Sequence, residues 1–240
     1  MTPFVDLVHL PSEITPGSLT GRVAVVVDVL RASSTIITAL DAGASWIKPV
    51  AHVKEARSEA ESLGGDVLLV GERGGLPPAG FDMGNSPSEF SSDRVLGRGV
   101  VMTTTNGTGA LLRCHDAKTI WVGGALNGSA VAAKAISIGG PVTIVCAGAN
   151  SEFSADDVAA AGAIIDSLRK AGGDVSLSDT ALAAMRLFLS HADSLADFFG
   201  ECSHGRRLKE IGLEMDLKIC AALNTTGVVP ILSGDRLVSG

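Results

Sequence analysis

The sequence predicts an α/β protein with three layers, in which helices cover both faces of a largely parallel or mixed sheet. Short apolar segments alternate with segments of helical periodicity along most of the chain. Residues 23–27, VAVVV, are apolar throughout, which indicates a strand that is buried on both faces. Because no linker and no internal repeat interrupts this alternation, we expect a single α/β domain over residues 1–240, with two interleaved lobes as the alternative.

Composition and charge exclude several classes of protein. The 240 residues are 46% hydrophobic and 19% charged, which suffices for a substantial core. A formal net charge of −7 and the absence of a Lys/Arg run argue against a nucleic-acid surface. We see no signal peptide and no membrane segment, which would need ~18 uninterrupted apolar residues. The four cysteines lack Cys-x-x-Cys spacing, so we expect reduced thiols in a cytoplasmic protein.

The first half of the chain predicts strands separated by well-delimited helices. A weakly alternating strand is expected at 4–10, followed by the buried strand at 23–27 and by a helix that opens at Ser33 or Ser34. Further strands are expected at 46–50, 67–70 and 100–103, and helices at 54–63 and 109–114. The Gly-, Pro- and Asn-rich residues 71–93 show no periodicity, and loops of that length are usually functional or disordered.

The second half becomes more helical toward its end. Strands are expected at 119–122, 142–146 and 228–232. Helices are expected at 129–138, 155–170, 180–199 and 206–223. The helix at 155–170 has the clearest pattern, since Val158, Ala161, Ile165 and Leu168 share one face.

The end of the strand at 23–27 collects groups that can hold an oxyanion. Asp28 and Arg31 follow the strand directly, and Ser33 and Ser34 stand where the next helix begins with unpaired amides. We expect an anion site here, with a metal as a further possibility, at the carboxyl edge of a parallel sheet. The alternative is that Asp28 pairs with Arg31 and the serines only cap the helix.

A second acid and arginine pair follows the strand at 67–70. Glu72 and Arg73 stand among glycines that permit close approach of the backbone to a ligand. Asn85 and Ser86, later in the same loop, could supply oxygens to a cation or donors to an anion. The alternative is turn chemistry, because these residue types fill loops for local reasons.

Two later strand ends repeat the pattern. Thr105, Asn106 and Gly107 follow the strand at 100–103 and are suited to an oxyanion or hydroxy-acid pocket, or to a capped helix start. Asp156 and Asp157 follow the strand at 142–146, and paired acids of this kind are typical oxygen ligands of Mg²⁺. One of them has an alternative role, since Asp157 with the serine three positions before it fits a capping box.

A basic segment lies near the C-terminus. Arg206 and Arg207 begin a predicted helix, where two cations oppose the helix dipole unless they meet an anion. His204 precedes them and could contact substrate, although a lone histidine is more often structural.

Six segments carry a resemblance to a known family. They are VVDVLRASSTIITAL, GERGG, GFDMGNSPSEF, TTTNGT, CAGANSEFSADDVAAAGAII and SHGRRLKEIGLEMDLKICAALNTTGVVP. In this order, between residues 25 and 230, they resemble the 2-phosphosulfolactate phosphatase family. The resemblance implies a Mg²⁺-dependent phosphatase that acts on a small anionic phosphorylated 2-hydroxy acid, converting 2-phospho-3-sulfolactate to 3-sulfolactate in coenzyme M biosynthesis. One departure is Asn224, where the family pattern leads us to expect an acid.

The resemblance, the polar groups at the strand ends and the charge of the ester together lead us to expect roles for individual residues. We expect Asp28, Arg31, Glu72 and Arg73 to be catalytic. The expected substrate-binding residues are Ser33, Ser34, Asn85, Ser86, Thr105, Asn106, Gly107, His204 and Arg206. Mg²⁺ would be held by Asp28, Asp156 and Asp157, with Arg31, Arg73 and Arg206 clamping the anionic groups. Asp28 could instead form an aspartyl-phosphate, although the following Val29-Leu30 lacks the Asp-x-Asp of haloacid dehalogenase phosphatases.

Two other functions remain as alternatives. A cysteine hydrolase of the isochorismatase type would use Cys146 as nucleophile, but it also needs a lysine that no strand end offers. A non-catalytic binding module for anionic metabolites would keep the arginines without the metal. Apolar residues in the C-terminal helices also make a homodimer an expectation.

Overall fold

The structure, a computed structural model, describes residues 4–172 and 175–240 and places ten strands in one sheet. The strands are β1 (Phe4–Val8), β2 (Val23–Val27), β3 (Trp46–Pro49), β4 (Val67–Gly71), β5 (Gly99–Thr103), β6 (Thr119–Val122), β7 (Val142–Cys146), β8 (Ser176–Leu177), β9 (Pro230–Ser233) and β10 (Arg236–Ser239). Their order across the sheet is β4-β5-β3-β10-β9-β6-β2-β7-β1-β8. The sheet is mixed, as expected.

The sheet consists of two parallel halves that run in opposite directions. β4, β5 and β3 are mutually parallel, as are β6, β2, β7, β1 and β8. The antiparallel hairpin β9–β10 lies between them, with β9 antiparallel to β6 and β10 antiparallel to β3. In a flat sheet the carboxyl ends of β4 and β2 would therefore lie at opposite edges. Adjacent strands are rotated by about 20–25°, so the six steps from β4 to β2 accumulate about 120–150°, which allows these ends to approach each other.

Helices cover both faces of the sheet. They are α1 (Ala32–Asp41), α2 (Val53–Leu63), α3 (Ser92–Val95), α4 (Gly107–Arg113), α5 (Gly128–Ile138), α6 (Ala155–Gly172), α7 (Asp179–His191), α8 (Leu195–Glu201), α9 (Ser203–Glu210) and α10 (Met215–Cys220). Alternate residues of β2 belong to different cores: Val23, Val25 and Val27 pack with α5, α6 and α7, while Ala24 and Val26 pack with α1 and α4. This arrangement confirms the predicted three-layer α/β class.

Glycines explain where the predicted C-terminal elements differ from the observed ones. The expected helix at 206–223 is divided into α9 and α10 around Gly212, whose φ of 77° a right-handed helix does not accommodate. The expected strand at 228–232 is followed by a second strand, because Gly234 (φ 62°) and Asp235 form a two-residue hairpin turn that the sequence prediction missed. The expected helix at 180–199 is also interrupted, by a 3₁₀ turn at Ala192–Ser194 that contains no glycine.

The surface bears on two further expectations. None of the helices in the described ranges combines the length and the apolar composition needed to cross a bilayer. Large apolar side chains are exposed on the C-terminal helices, namely Leu182 and Leu189 of α7 and Met215 of α10. The homodimer stays a prediction.

Candidate active site

Loops from both halves of the sheet converge on two adjoining cavities. The inner cavity is lined by Asp28, Leu30, Arg31, Glu72, Asn85, Asn106 and His204. The outer cavity, of about 290 Å³, is lined by Glu72, Gly74, Gly75, Thr105, Asn106, Ala149, Asn150, Ser203, His204 and Arg207. Because the two share Glu72, Asn106 and His204, we treat them as one site with a deep part and an open part.

The loop between β2 and α1 places Asp28 at the inner cavity. The amide of Ser33 donates to the Asp28 carbonyl (2.8 Å), and the amide of Asp28 donates to Ser33 Oγ (3.1 Å). Ser34 Oγ donates to the carbonyl of Val29 (2.8 Å). Both serines are buried and lie inside α1, which follows Arg31 as its N-cap, so the expectation that a serine caps the helix is wrong. Their hydroxyls fold the loop and line neither cavity.

Gly107 at the start of α4 lets the other half of the sheet reach this loop. A Cβ at this position would lie 2.7 Å from Asp28 Oδ2 and 2.6 Å from the Cβ of Ala32, so only glycine permits the approach. A further cross-link comes from Thr35 of α1, whose Oγ1 donates to the carbonyl of Asn85 (2.8 Å). These contacts, and not a shared sheet edge, bring the strand ends together.

Asp28 carries a strongly perturbed carboxyl group. Its pKa is raised to about 7, first by burial and then by the negative charges of Glu72 and Asp156, against the opposing effect of hydrogen bonds from the amides of Ala32 and Gly107. A carboxyl group with such a pKa is partly protonated at neutral pH, and a nearby cation would stabilise its ionised form.

Glu72 organises the loops that follow β4 and β5. Its Oε2 accepts a hydrogen bond from the amide of Gly75 (2.9 Å), and its Oε1 accepts one from the amide of Thr105 (2.7 Å). Arg73 lines neither cavity. Its guanidinium donates to the carbonyls of Glu72 and Ala51 and to Oγ1 of Thr103. The structure therefore places Glu72 at the site and the Arg73 guanidinium outside it.

Arg31 is fixed by an acid that the sequence analysis missed. Its Nη1 lies 2.8 Å from Oδ2 of Asp216 in an ion pair that is 2% exposed on both sides, and its Nη2 donates to the carbonyl of Gly75 (2.6 Å). The alternative in which Arg31 pairs with Asp28 is therefore wrong. Ser86 Oγ donates to Oδ1 of the same Asp216 (2.5 Å), so Ser86 supports the pair and lines neither cavity.

The signal for Asp216 was present in the sequence. Leu213, Asp216, Leu217 and Cys220 follow the i, i+3, i+4, i+7 spacing of a buried helix face. An acid on such a face needs a buried cation or several donors, because an unpaired buried charge is costly.

Asn85 brings an unsatisfied acceptor to the inner cavity. In the described part of the chain, Asn85 Oδ1 is one of two buried side-chain polar atoms without a hydrogen-bond partner, and the residue is only 3% exposed. Buried polar atoms are normally satisfied, so this oxygen is available to accept from a water or a ligand, or to coordinate a cation.

Asp156 and Asp157 lie beneath the cavities and do not line them. Asp157 accepts hydrogen bonds from the amides of Val29 (2.8 Å) and Gly148 (3.0 Å), and thus joins the loops after β2 and β7. Burial, followed by the charges of Asp156 and Asp28, raises the pKa of Asp157 well above its usual range. The proposed capping box is not formed, because Ser154 Oγ donates to Asp156 instead (2.6 Å).

The segment at α9 contributes a histidine and a second missed residue. His204 lines both cavities, and burial lowers its pKa, although the charge of Asp156 opposes this shift. Arg206 is exposed and donates to the carbonyl of Glu201, outside the cavities. Arg207 lines the outer cavity, and its i, i+3 spacing from His204 is the signal that could have selected it over Arg206.

Two further sequence expectations concern residues away from the cavities. Cys146 is fully buried at the end of β7, and burial together with the nearby acids raises its pKa well above the usual range, so a reactive thiolate is not supported. Asn224, the departure from the family pattern, lies outside both cavities and accepts a hydrogen bond from the amide of Ser129 in the first turn of α5 (2.7 Å).

The fold and the converging loops define an α/β enzyme with a buried site of acids, amides and arginine. The sequence matches the family model described as 2-phosphosulpholactate phosphatase over residues 8–235. The chain belongs to this family and is an enzyme of the phosphoric monoester hydrolase class.

Curated relatives agree with this assignment. The chain is similar to proteins named "Probable 2-phosphosulfolactate phosphatase" from three organisms. The relative from Clostridium perfringens (strain SM101 / Type A) is 41% identical over 94% of this chain and 92% of its own. That from Clostridium acetobutylicum is 38% identical over 94% and 96%, and that from Symbiobacterium thermophilum is 38% identical over 92% and 95%. The resemblance found in the sequence is thus confirmed.

Proposed function

We propose that the protein hydrolyses 2-phospho-3-sulfolactate to 3-sulfolactate and phosphate, with Mg²⁺ bound in the inner cavity. The substrate comes from the names of the relatives. One observation supports the metal: Asp28, Glu72 and Asn85 line the same cavity, and Asn85 Oδ1 has no hydrogen-bond partner in the described part of the chain. The negative charge of Asp156 also acts on Asp28. An enzyme for a highly anionic ester needs positive charge at this place.

The residues present fit Mg²⁺ with a smaller protein ligand set than the three acids first expected. Within the described ranges, no group of three or more His, Cys, Asp and Glu side chains is arranged to hold an ion. Mg²⁺ needs only one or two carboxylates, because it keeps several of its waters. We therefore assign Asp28 and Asn85 as the protein ligands, with Asp156 and Asp157 holding the loops beneath. When bound, Mg²⁺ supplies the charge that neutralises the phosphoryl oxygens.

The remaining groups bind and orient the ester. Arg31, held in place by Asp216, has further N–H donors besides the two bonds described and presents them toward the phosphoryl group. His204, whose lowered pKa keeps the imidazole neutral, can accept a proton from the attacking water. Glu72 fixes the amides of Gly75 and Thr105 at the wall of the site.

The proposal extends to the pathway and the location of the enzyme. From the resemblance to the family we infer that the reaction belongs to coenzyme M biosynthesis. The free cysteines support a cytoplasmic enzyme.

A phosphate-release assay on the purified protein tests this proposal. We expect turnover of 2-phospho-3-sulfolactate that EDTA abolishes and added Mg²⁺ restores, and no turnover by the Asp28→Asn variant. A matched variant, Glu61→Gln on the exposed face of α2, should keep full activity. If titration calorimetry detects binding of the ester while no phosphate is released with Mg²⁺, the protein is a binding module and the proposal is wrong.

A further inference from the structure

We propose that Arg207 forms a subsite for the sulfonate of the substrate and so selects phosphorylated acids that carry a second, remote anion. This inference rests on the proposed function and deepens it. The inner cavity, of about 10 Å³, has room for an ion only. We therefore assign the ester to the outer cavity, with its phosphate at the wall that the two cavities share and its sulfonate toward Arg207.

Arg207 is the arginine of the outer cavity that is free to meet a ligand. In the described part of the chain, Arg31 is held by Asp216 and Gly75, while Arg73 and Arg206 donate to protein groups outside the cavities. Arg207 makes a single exposed ion pair, in which Nη1 lies 3.3 Å from Oε2 of Glu210 and the Arg207 side chain is 52% exposed. Exposed pairs of this kind contribute little, so the guanidinium can turn to a stronger anionic partner at low cost.

The helix that carries Arg207 is held rigidly against the rest of the site. At Gly205, two residues before Arg207, a Cβ would collide with the carbonyl oxygen of Phe199, so α9 packs on α8 at backbone distance. Directly after the helix, Ile211 packs closely on Gly75: a Cβ on Gly75 would lie only 2.7 Å from Ile211 Cδ1. Arg207 is thus mounted between two close contacts, one of them with the loop that lines both cavities. Binding of an anion therefore needs no ordering of the backbone that carries Arg207, and only its side chain loses freedom.

The chemistry of the ester matches the arrangement of the two cavities. The carboxylate of 2-phospho-3-sulfolactate is on the phosphorylated carbon and stays with the phosphate, whereas the sulfonate is on the next carbon and points away from it. Sulfonate is ionised at every relevant pH, and its oxygens match the donors of a guanidinium. Without Arg207 the sulfonate would meet the negative charge of Glu72 and no positive charge, because the other residues that line the outer cavity are neutral, His204 included.

The test compares two substrates and two neighbouring variants. The substrates are 2-phospho-3-sulfolactate and 2-phospholactate, which keeps the phosphate and carboxylate but lacks the sulfonate. For Arg207→Ala we expect kcat/KM to fall by about 10- to 100-fold with the first substrate, mostly through KM, and to change little with the second. Arg206→Ala, the matched control, should behave as wild type with both, and Arg207→Lys should retain part of the preference. Equal losses on both substrates, or no loss on either, would overturn the inference.

A binding measurement separates this inference from the proposed function. Titration calorimetry with 3-sulfolactate and lactate requires no turnover, so it remains informative if the wild type releases no phosphate. We expect 3-sulfolactate to bind to the wild type more tightly than lactate does, and this difference to disappear in Arg207→Ala. If Arg207→Ala binds 3-sulfolactate as tightly as the wild type, the sulfonate subsite is elsewhere. Absence of phosphate release by the wild type with both esters would instead contradict the proposed function alone.

Discussion

Replacing Asp28 by asparagine should stabilise the metal-free protein while it abolishes turnover. The pKa of this carboxyl rises from its ordinary value of 3.8 to about 7 on folding. The folded state therefore binds the proton more tightly, so the group's contribution to stability is present below pH 3.8 and is lost as the pH rises through about 7. At about 1.4 kcal/mol for each pKa unit, the full loss is on the order of 4 kcal/mol, and about 2 kcal/mol of it falls between pH 5.5 and 8.5.

Urea unfolding in EDTA at pH 5.5 and pH 8.5 measures this effect. The substituted asparagine cannot ionise, so the unfolding free energy of Asp28→Asn minus that of the wild type should grow by about 2 kcal/mol from the lower pH to the higher one. The surface variant Glu61→Gln should show no such growth. A difference that is constant between the two pH values, or that shrinks, would refute the argument that burial and neighbouring acids perturb Asp28.

Three other predictions concern the metal, the buried ion pair and the buried thiol. Mg²⁺ at millimolar concentration should raise the unfolding temperature of the wild type, because a ligand that binds the folded state stabilises it by mass action. The rise should be smaller for Asp28→Asn, which lacks a metal ligand. Equal shifts in both proteins would mean that the metal binds elsewhere. Asp216→Asn should lower the unfolding free energy by about 3–5 kcal/mol even in high salt, since it removes one partner of a buried ion pair. Asp166→Asn, which breaks the pair with the solvent-exposed Lys170, should cost under about 1 kcal/mol. Cys146 should resist iodoacetamide in the native protein, and Cys146→Ala should keep its activity; modification of this thiol with loss of turnover that substrate prevents would support the cysteine mechanism.

Local patterns predicted the central strands well. The strands at 119–122 and 142–146 were expected with the boundaries that the structure shows, because apolar β-branched runs between turn residues are a short-range signal. The C-terminal hairpin was missed, although Gly234-Asp235 between two short apolar runs is also a local signal. Its position between the two sheet halves depends on contacts with β3 and β6, which are remote in sequence, and no local pattern reports them.

The candidate site shows the same division between local and long-range information. The polar groups at the strand ends were recognisable, and Asp28, Glu72 and Asn106 do line one cavity. The expected reason, a shared edge of a parallel sheet, is wrong because the two halves of the sheet run in opposite directions. The partner of Arg31 is 185 residues away, so the pair could not be inferred from residues near either member.

The balance of charge in the inner cavity separates the enzyme from a metal-free binding module. A module that binds anions by itself should present unpaired cations, as arginine clusters for phosphate do. Here the cavity's arginine, Arg31, is already neutralised by Asp216, while Asp28 and Glu72 face the same space. The local charge is therefore negative unless Asp28 is protonated or a cation is bound, and a phosphate ester would be repelled at alkaline pH. Binding of the ester should accordingly be weak in EDTA at pH 8.5 and strong with Mg²⁺, whereas a binding module built on arginines would bind it equally under both conditions.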